Sequence, residues 1–314
     1  MTVTTTPLGK TGIQIPPLGI GTWAWGDKMF WGYEQGYHES DVRAAFDYCI
    51  QAGIDFFDTA EVYGLGASET LLGKFLADGN RRAVVATKFF PFPHRLTKGG
   101  LHRALRGSLH RLGLPRVDLY QIHNPMPPVA IPIWMDALAE AVQRGSILAA
   151  GVSNYDLNQT RSAYQTLARH GVPLASNQIS YSLLERTPER NGLLSLCREL
   201  GITVIAYSPL MQGILTGRYS SQNPPPGFRR FRFPRDFLIR VQPLLIVMRE
   251  IGQAHGHASL TQVALNWVIG KGAVPIPGVK NRRQAEDVAG TLQWRLTPDE
   301  IARLDAASDQ AAKR

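Results

Sequence analysis

Apolar residues along this chain follow two alternating spacings. Short runs bounded by Gly, Pro or charged residues read as buried strands, and longer stretches with apolar positions three and four apart read as helices. The first clear helix covers 39–52, where Val42, Ala45, Phe46, Cys49 and Ile50 recur at helical spacing and Gly53 follows as a stop. From there the two patterns take turns. Strands are predicted at 54–58, 83–88, 117–123, 147–153, 174–178, 202–207 and 273–277. Helices are predicted at 67–76, 99–112, 131–144, 157–170, 192–200, 241–253, 259–270 and 283–289, with a last one at 298–307. Ahead of them, two apolar pieces flank Gly9-Lys10-Thr11-Gly12, a hairpin signal, and 18–22 is a further short strand. Counting from Leu18 gives eight strands, each followed by helical material. That is the pattern of a (β/α)8 TIM barrel with an N-terminal β-hairpin and a C-terminal helix, one domain over residues 1–314. A doubly wound sheet would want G-x-G-x-x-G after its first strand. Neither Gly19-Ile20-Gly21-Thr22-Trp23-Ala24 nor Gly64-Leu65-Gly66-Ala67-Ser68-Glu69 supplies the third Gly.

Composition changes this picture little. The 314 residues are 44% hydrophobic and 19% charged, an ordinary globular balance. No apolar run approaches the roughly 20 residues a membrane span needs. No signal peptide is visible in Met1-Thr2-Val3-Thr4-Thr5-Thr6, and Cys49 and Cys197 read as reduced core residues, so a cytoplasmic protein is expected. Net charge is +9, from 34 basic and 25 acidic residues, which suits an anionic ligand. The densest basic run, Phe228-Arg229-Arg230-Phe231-Arg232-Phe233-Pro234-Arg235, could suggest nucleic-acid stacking or a membrane surface. A solvated loop over a phosphate-bearing ligand is the preferred reading of 227–240. His255-Gly256-His257 reads as a helix-entry loop, and no metal is expected.

In a barrel, functional groups stand at the C-terminal ends of strands. The second strand ends in Phe56-Phe57-Asp58, with Tyr63 just beyond; the third ends at Lys88 and the fourth at His123. Three adjacent strands thus aim a carboxylate, an ammonium and an imidazole at one mouth, with a phenol above. A Tyr hydroxyl ordinarily titrates near about 10, too high for efficient acid–base work near neutrality. A neighbouring ammonium lowers that value, and Asp58 would keep Lys88 charged. Asp58, Lys88 and Tyr63 therefore form a proton relay with Tyr63 as general acid, and His123 can donate to the same substrate oxygen.

At these residues the sequence resembles the aldo-keto reductases. The resemblance runs through Asp58-Thr59-Ala60-Glu61-Val62-Tyr63-Gly64, Thr87-Lys88, Gln121-Ile122-His123-Asn124-Pro125, Gly151-Val152-Ser153-Asn154-Tyr155, Asn177-Gln178, Ala206-Tyr207-Ser208-Pro209-Leu210 and Ile276-Pro277-Gly278, covering nearly the whole chain. It implies NADPH-dependent reduction of an aldehyde or ketone, with the coenzyme extended across the mouth. Thr22, Trp23 and Asp58 would lie beside the coenzyme. Ser153, Asn154 and Gln178 would hold its carboxamide, and Tyr207 would stack on its ring. Ser208, Leu210, Gln212 and Gly213 would begin the loop over the pyrophosphate. Gly278, Lys280, Gln284 and Asp287 would lie at the adenosine end. Lys280, Arg282 or Arg283 near a 2′-phosphate favours NADPH over NADH. Many relatives carry Glu-Asn where this chain has Asp287-Val288, which puts the adenine contacts in question.

Trp23, Trp25, Phe30, Trp31, Phe89, Phe90 and Asn124 are the expected pocket walls, suiting an aromatic or aliphatic aldehyde as the small-molecule partner. Some channel β-subunits share this fold and these motifs, so a coenzyme-binding regulatory subunit with little turnover is the alternative. Oligomeric state is not readable from these motifs.

Overall fold

The structure is a computed structural model and describes residues 4–79, 81–227 and 229–312. Residues 1–3 of the N-terminal stretch and Phe228 of the Arg/Phe run lie outside it. Among the described residues, ten strands follow in chain order. β1 (Thr6–Pro7) and β2 (Gln14–Ile15) pair antiparallel as the predicted hairpin. β3 (Ile20–Gly21), β4 (Phe56–Asp58), β5 (Val84–Phe89), β6 (Val117–Ile122), β7 (Ile147–Ser153), β8 (Leu174–Ser180), β9 (Thr203–Tyr207) and β10 (Val274–Pro275) form one parallel sheet in sequence order. Backbone bonds from Gly19 N to the Pro275 carbonyl and from Gly21 N to the Pro277 carbonyl, each 3.0 Å, join the last strand to the first. The sheet closes on itself, and helices between successive strands cover its outside: the (β/α)8 barrel predicted from the alternating pattern.

Two apolar layers follow from the period of two along each strand. Phe56, Ala86, Leu119, Ala149 and Ile205 share one buried cluster inside the barrel, with Leu8 and Ile15 of the hairpin plugging its lower end. Phe57, Val85, Phe89, Tyr120, Ile122, Ala150 and Val152 belong to the larger cluster between the barrel and its helices. One inward step further along the strands, the residues become Asp58, Lys88, Gln121, Gly151 and Tyr207. The apolar floor thus turns polar near the C-terminal ends of the strands.

The structure differs from the sequence reading in the long connection after β9. Arg229–Arg232 is a helical turn, and the helix predicted at 241–253 begins six residues earlier, at Arg235, and runs to Ala254. Its first two turns bury only Leu238 before Val241, so no apolar period announces them. Pro243 lies inside that helix, where it removes one backbone donor. Short turns at Tyr63–Gly66 and Thr187–Arg190 were also absent from the periodic pattern.

Barrel closure depends on close backbone approach at β3. An added Cβ at Gly19 would stand 2.4 Å from Phe56 Cδ1 and 3.0 Å from its carbonyl oxygen. Gly19→Ala is expected to destabilise the fold by about 1–3 kcal/mol, the usual penalty of overpacking. A urea unfolding midpoint unchanged from wild type would contradict this.

Candidate active site

Strand ends β4, β5 and β6 bring their chemistry together. Lys88 Nζ donates to Asp58 Oδ2 at 2.5 Å, to the Thr59 carbonyl at 2.9 Å and to the Tyr63 hydroxyl at 3.2 Å. Lys88 is fully buried and Asp58 1% exposed, so this pair has almost no water to screen it. Asp58 Oδ1 accepts from two amides, Gln178 at 2.7 Å and Gln121 at 3.2 Å. The His123 ring meets the Tyr63 ring edge-on at 5.8 Å. Its Nδ1 is buried without a hydrogen-bond partner among the described residues.

Tyr63 is aimed by its own loop. Gly64 and Leu65 both have a φ of 56°, so the chain turns sharply in the left-handed region just after it. Glu61 fastens the same loop to the one after β5. It accepts from Phe90 N at 2.6 Å and from Arg95 through both carboxylate oxygens, at 2.6 and 3.0 Å. Buried hydroxyls brace the loop from below, with Ser68 bonded to Thr22 at 2.7 Å and Thr59 at 2.9 Å.

The protonation states follow from this packing. Burial pulls the Lys88 ammonium down, but Asp58 and Tyr63 reverse the effect and its pKa ends raised. Tyr63 departs from the sequence expectation of a lowered value. Burial raises its hydroxyl, and although Lys88 draws it down, the Asp58 carboxylate opposes Lys88 and the net direction is upward. The imidazole of His123 is lowered to about 3 by burial first and Lys88 second. At neutral pH the site therefore presents a protonated phenol, a charged lysine and a neutral imidazole.

The other expected residues divide into several groups. Ser153 Oγ donates to the Gln178 carbonyl at 2.9 Å. Asn154, at a φ of 61°, donates to the His123 carbonyl and to Asn124 Oδ1, and accepts from the Tyr207 hydroxyl at 2.9 Å. Ser153, Asn154, Gln178, Tyr207 and Asn124 thus meet at one side of the mouth. Ser208 and Gln212 both have a φ of 52°, and Gly213 one of 96°, which folds Leu210 and its neighbours into a tight turn beside that side. Gln212 Oε1 is buried without a partner among the described residues.

Lys280 is not a free surface cation. It donates to the Trp31 carbonyl at 2.9 Å and lies over the Trp31 and Tyr37 rings at 4.8 and 4.3 Å. Burial lowers its pKa to about 8, helped by the charges of Arg229 and Arg218. Gln284 accepts from Lys280 N at 2.9 Å, next to Gly278, which is exposed. Asp287 accepts from Ser259 at 2.6 Å and Gln262 at 3.3 Å, and Val288 is buried in the core. His255 bonds to Glu300 at 2.8 Å and stacks on Trp294.

Two expected pocket walls lie elsewhere. Trp25 is fully buried against Phe46, Phe57 and Phe75 and donates to the Val279 carbonyl at 2.8 Å. Phe89 is fully buried against Trp134, because strand alternation sends it to the helix side when Lys88 points inward. The mouth is instead crossed by a row of rings. Phe30 stacks on Trp23 at 4.9 Å, and Trp31 meets Trp23 edge-on at 5.5 Å. Trp23 faces Tyr63 at 6.1 Å. Beyond His123 the row continues to Phe90 at 5.5 Å and from Phe90 to Phe92 at 4.6 Å.

Phe92, Gln121 and Arg229 were missing from the sequence reading as site-level residues. Gln121 carried a usable signal, since it shares the inward phase of Leu119 two residues earlier. Arg229 carried only the signal of its basic run, which did not single it out: its guanidinium reaches the Trp31 and Tyr219 rings at 5.4 and 5.5 Å, and it donates to the Gln212 carbonyl at 3.1 Å.

A sequence profile of the Aldo/keto reductase family matches residues 17–309. The chloroplastic pyridoxal reductase of Arabidopsis thaliana is 41% identical over 315 residues, covering 96% of this chain and 85% of that protein. Among solved structures, a glycerol dehydrogenase from Gluconobacter oxydans superimposes with a TM-score of 0.86 at 26% identity, covering 100% of this chain and 98% of that one. An aldo/keto reductase from Klebsiella pneumoniae, in complex with NADP and acetate, has a TM-score of 0.77 at 27% identity, covering 97% and 95% of the two chains.

The depressed His123 pKa carries a stability consequence of definite sign. The unfolded imidazole takes up a proton near pH 6.5, whereas the folded one resists until about 3. Stability from this group is complete above pH 6.5 and is lost progressively as pH falls toward 3. In His123→Gln, the acid-side decline in melting temperature should be shallower than in wild type. Identical slopes from pH 7 to 4 would exclude this assignment.

Proposed function

The chain belongs to the aldo/keto reductase family, and on that premise we propose that it reduces an aldehyde or ketone to the alcohol with Tyr63 as proton donor. The observation that carries the reading is Lys88, whose one ammonium touches both Asp58 and the Tyr63 hydroxyl inside a dry site. Burial keeps Tyr63 protonated until a substrate needs the proton. As the proton leaves, the Lys88 charge 3.2 Å away stabilises the phenolate. Asp58 keeps that ammonium charged against its desolvation. His123, neutral at working pH, offers a hydrogen bond to the substrate oxygen without competing as an acid.

A nicotinamide coenzyme, when bound, supplies the hydride. The side chains present fit such a group. Ser153, Asn154 and Gln178 supply the mixed donors and acceptors a carboxamide requires, with Tyr207 beside them. Gln212 Oε1 offers an unused acceptor in the turn that Ser208, Leu210 and Gly213 share. Thr22 turns its hydroxyl onto Ser68 and the Asp58 carbonyl, which leaves Trp23 as the coenzyme-side candidate of that pair. Asp287 is held by Ser259 and Gln262, so Gly278, Lys280 and Gln284 are the stronger candidates for the adenosine end.

NADPH is the preferred coenzyme. Burial first, then the neighbouring Arg229 and Arg218 charges, lower the Lys280 pKa to about 8, and a 2′-phosphate would offset that repulsion. The row of rings from Phe30 to Phe92 supports an aromatic aldehyde as substrate, because flat apolar walls bury a planar ring with little loss of contact. Since a relative is a pyridoxal reductase, pyridoxal is the first aldehyde to try.

A panel of aromatic and aliphatic carbonyls, assayed by loss of reduced-nicotinamide absorbance with both coenzymes, tests the reading. Tyr63→Phe should lower kcat by about 10²–10⁴. Full turnover in that variant would rule out the proton-donor role. Coenzyme binding with no turnover on any carbonyl would instead favour the regulatory-subunit alternative. Lys280→Met should weaken NADPH about tenfold while changing NADH little, as expected for loss of one charge-assisted contact. Equal losses for both coenzymes would remove Lys280 from the 2′-phosphate.

A further inference from the structure

We propose that Gln121, braced by Ser176, is a positioning residue that holds Asp58 in place while Gln178 turns to the coenzyme. The proposal rests on the reductase reading for what Gln178 contacts. Its geometry stands on three strands. Gln121 is fully buried on β6, in the inward layer where Leu119 below it is apolar. An amide there costs free energy unless bonded. A carboxylate only accepts, so the Gln121 nitrogen must face Asp58, and it lies 3.2 Å from Oδ1. The Gln121 oxygen then points away and accepts from Ser176 Oγ at 3.3 Å.

Space for this pair is built into the neighbouring strand. A Cβ on Gly151 of β7 would fall 2.5 Å from Ser176 Oγ and 2.9 Å from Gln121 Cγ. Gly151 has no positive φ, so the absence of a side chain serves room rather than backbone freedom.

Gln178 differs in its surroundings. Its carbonyl accepts from both Ser153 Oγ and Asn154 N, which ties it to the residues proposed around the carboxamide. Its side-chain nitrogen is nevertheless committed to Asp58 at 2.7 Å. A coenzyme carboxamide bound through Gln178 competes for that nitrogen. Gln121, closed off from solvent, stays on Asp58 when Gln178 leaves. Without it, coenzyme binding would strip Asp58 Oδ1 of its last side-chain amide in a dry site. The uncovered carboxylate would also oppose ionisation of Tyr63 more strongly. Tyr63 is faced by Lys88, Asp58, His123 and Tyr207; Gln121 hydrogen-bonds to Asp58 and is the cross-strand neighbour of Lys88.

The test compares Gln121→Met, similar in length but unable to donate, with wild type. NADPH affinity is read by quenching of tryptophan fluorescence, and the alkaline limb of kcat from a pH profile. Gln121→Met should raise the NADPH Kd about three- to tenfold, the loss expected for one net hydrogen bond. Its alkaline limb should move up by about half a pH unit. Ser176→Ala should shift both in the same direction by less, and it carries the test if Gln121→Met fails to fold. In a Gln178→Ala background, Gln121→Met should no longer change Kd, because no amide is left to compete. A lower melting temperature with Kd and alkaline limb both unmoved would overturn the proposal and leave Gln121 a packing residue. Wild type that binds NADPH but reduces no carbonyl fails the reductase reading, while the Kd comparison still decides Gln121. Wild type that binds no coenzyme overturns both.

Discussion

Lys88 and Asp58 meet at 2.5 Å inside the barrel, and the neighbouring structure is arranged to tolerate that meeting. Two charges taken out of water each lose several kcal/mol of hydration, and their attraction offsets this only when the remaining hydrogen-bonding capacity is filled. It is filled here from several directions. Lys88 has the Thr59 carbonyl and the Tyr63 hydroxyl besides the carboxylate, and Asp58 has the amides of Gln121 and Gln178. Breaking the pair by removing one partner would strand the other, so the site's chemistry and the barrel's integrity are linked at this point.

The barrel supplies the rigidity that this pair needs. The layer below it is apolar and plugged by the hairpin, so the polar layer has one open side, the mouth. The hydroxyls of Thr22, Ser68 and Thr59 fix the loop after β4, and Glu61 with Arg95 ties that loop to the one after β5. Each device is local, but together they set where the Tyr63 hydroxyl stands relative to Lys88. A Tyr on an untethered loop would lose the alignment that makes the lysine charge useful.

Around the mouth, cations and rings share the same positions. Lys280 sits over Trp31 and Tyr37, and Arg229 over Trp31 and Tyr219. These contacts join the loop after β3, the long connection after β9 and the segment after β10. The basic run that looked like a solvated loop therefore sends Arg229 inward against the rim, whereas Arg235 onward is helix. An anion at this rim would meet charges already held close together by aromatic faces.

Much of the fold was legible because periodicity is a one-dimensional property. Alternation of strand and helix spacing identified the eight barrel strands, and the ends of three of them located Asp58, Lys88 and His123. It did not locate the start of the helix at Arg235, whose first turns bury too little to show a period. Trp25 and Phe89 looked like pocket walls because aromatic character carries no direction, and only packing revealed that both face the core. The sequence by itself determined which residue types stand at each level of the barrel, since that depends on neighbours two positions away. Tertiary structure alone decided what they touch. Asp58 takes its three side-chain partners from 30, 63 and 120 residues along the chain, a distance at which local pattern holds no information.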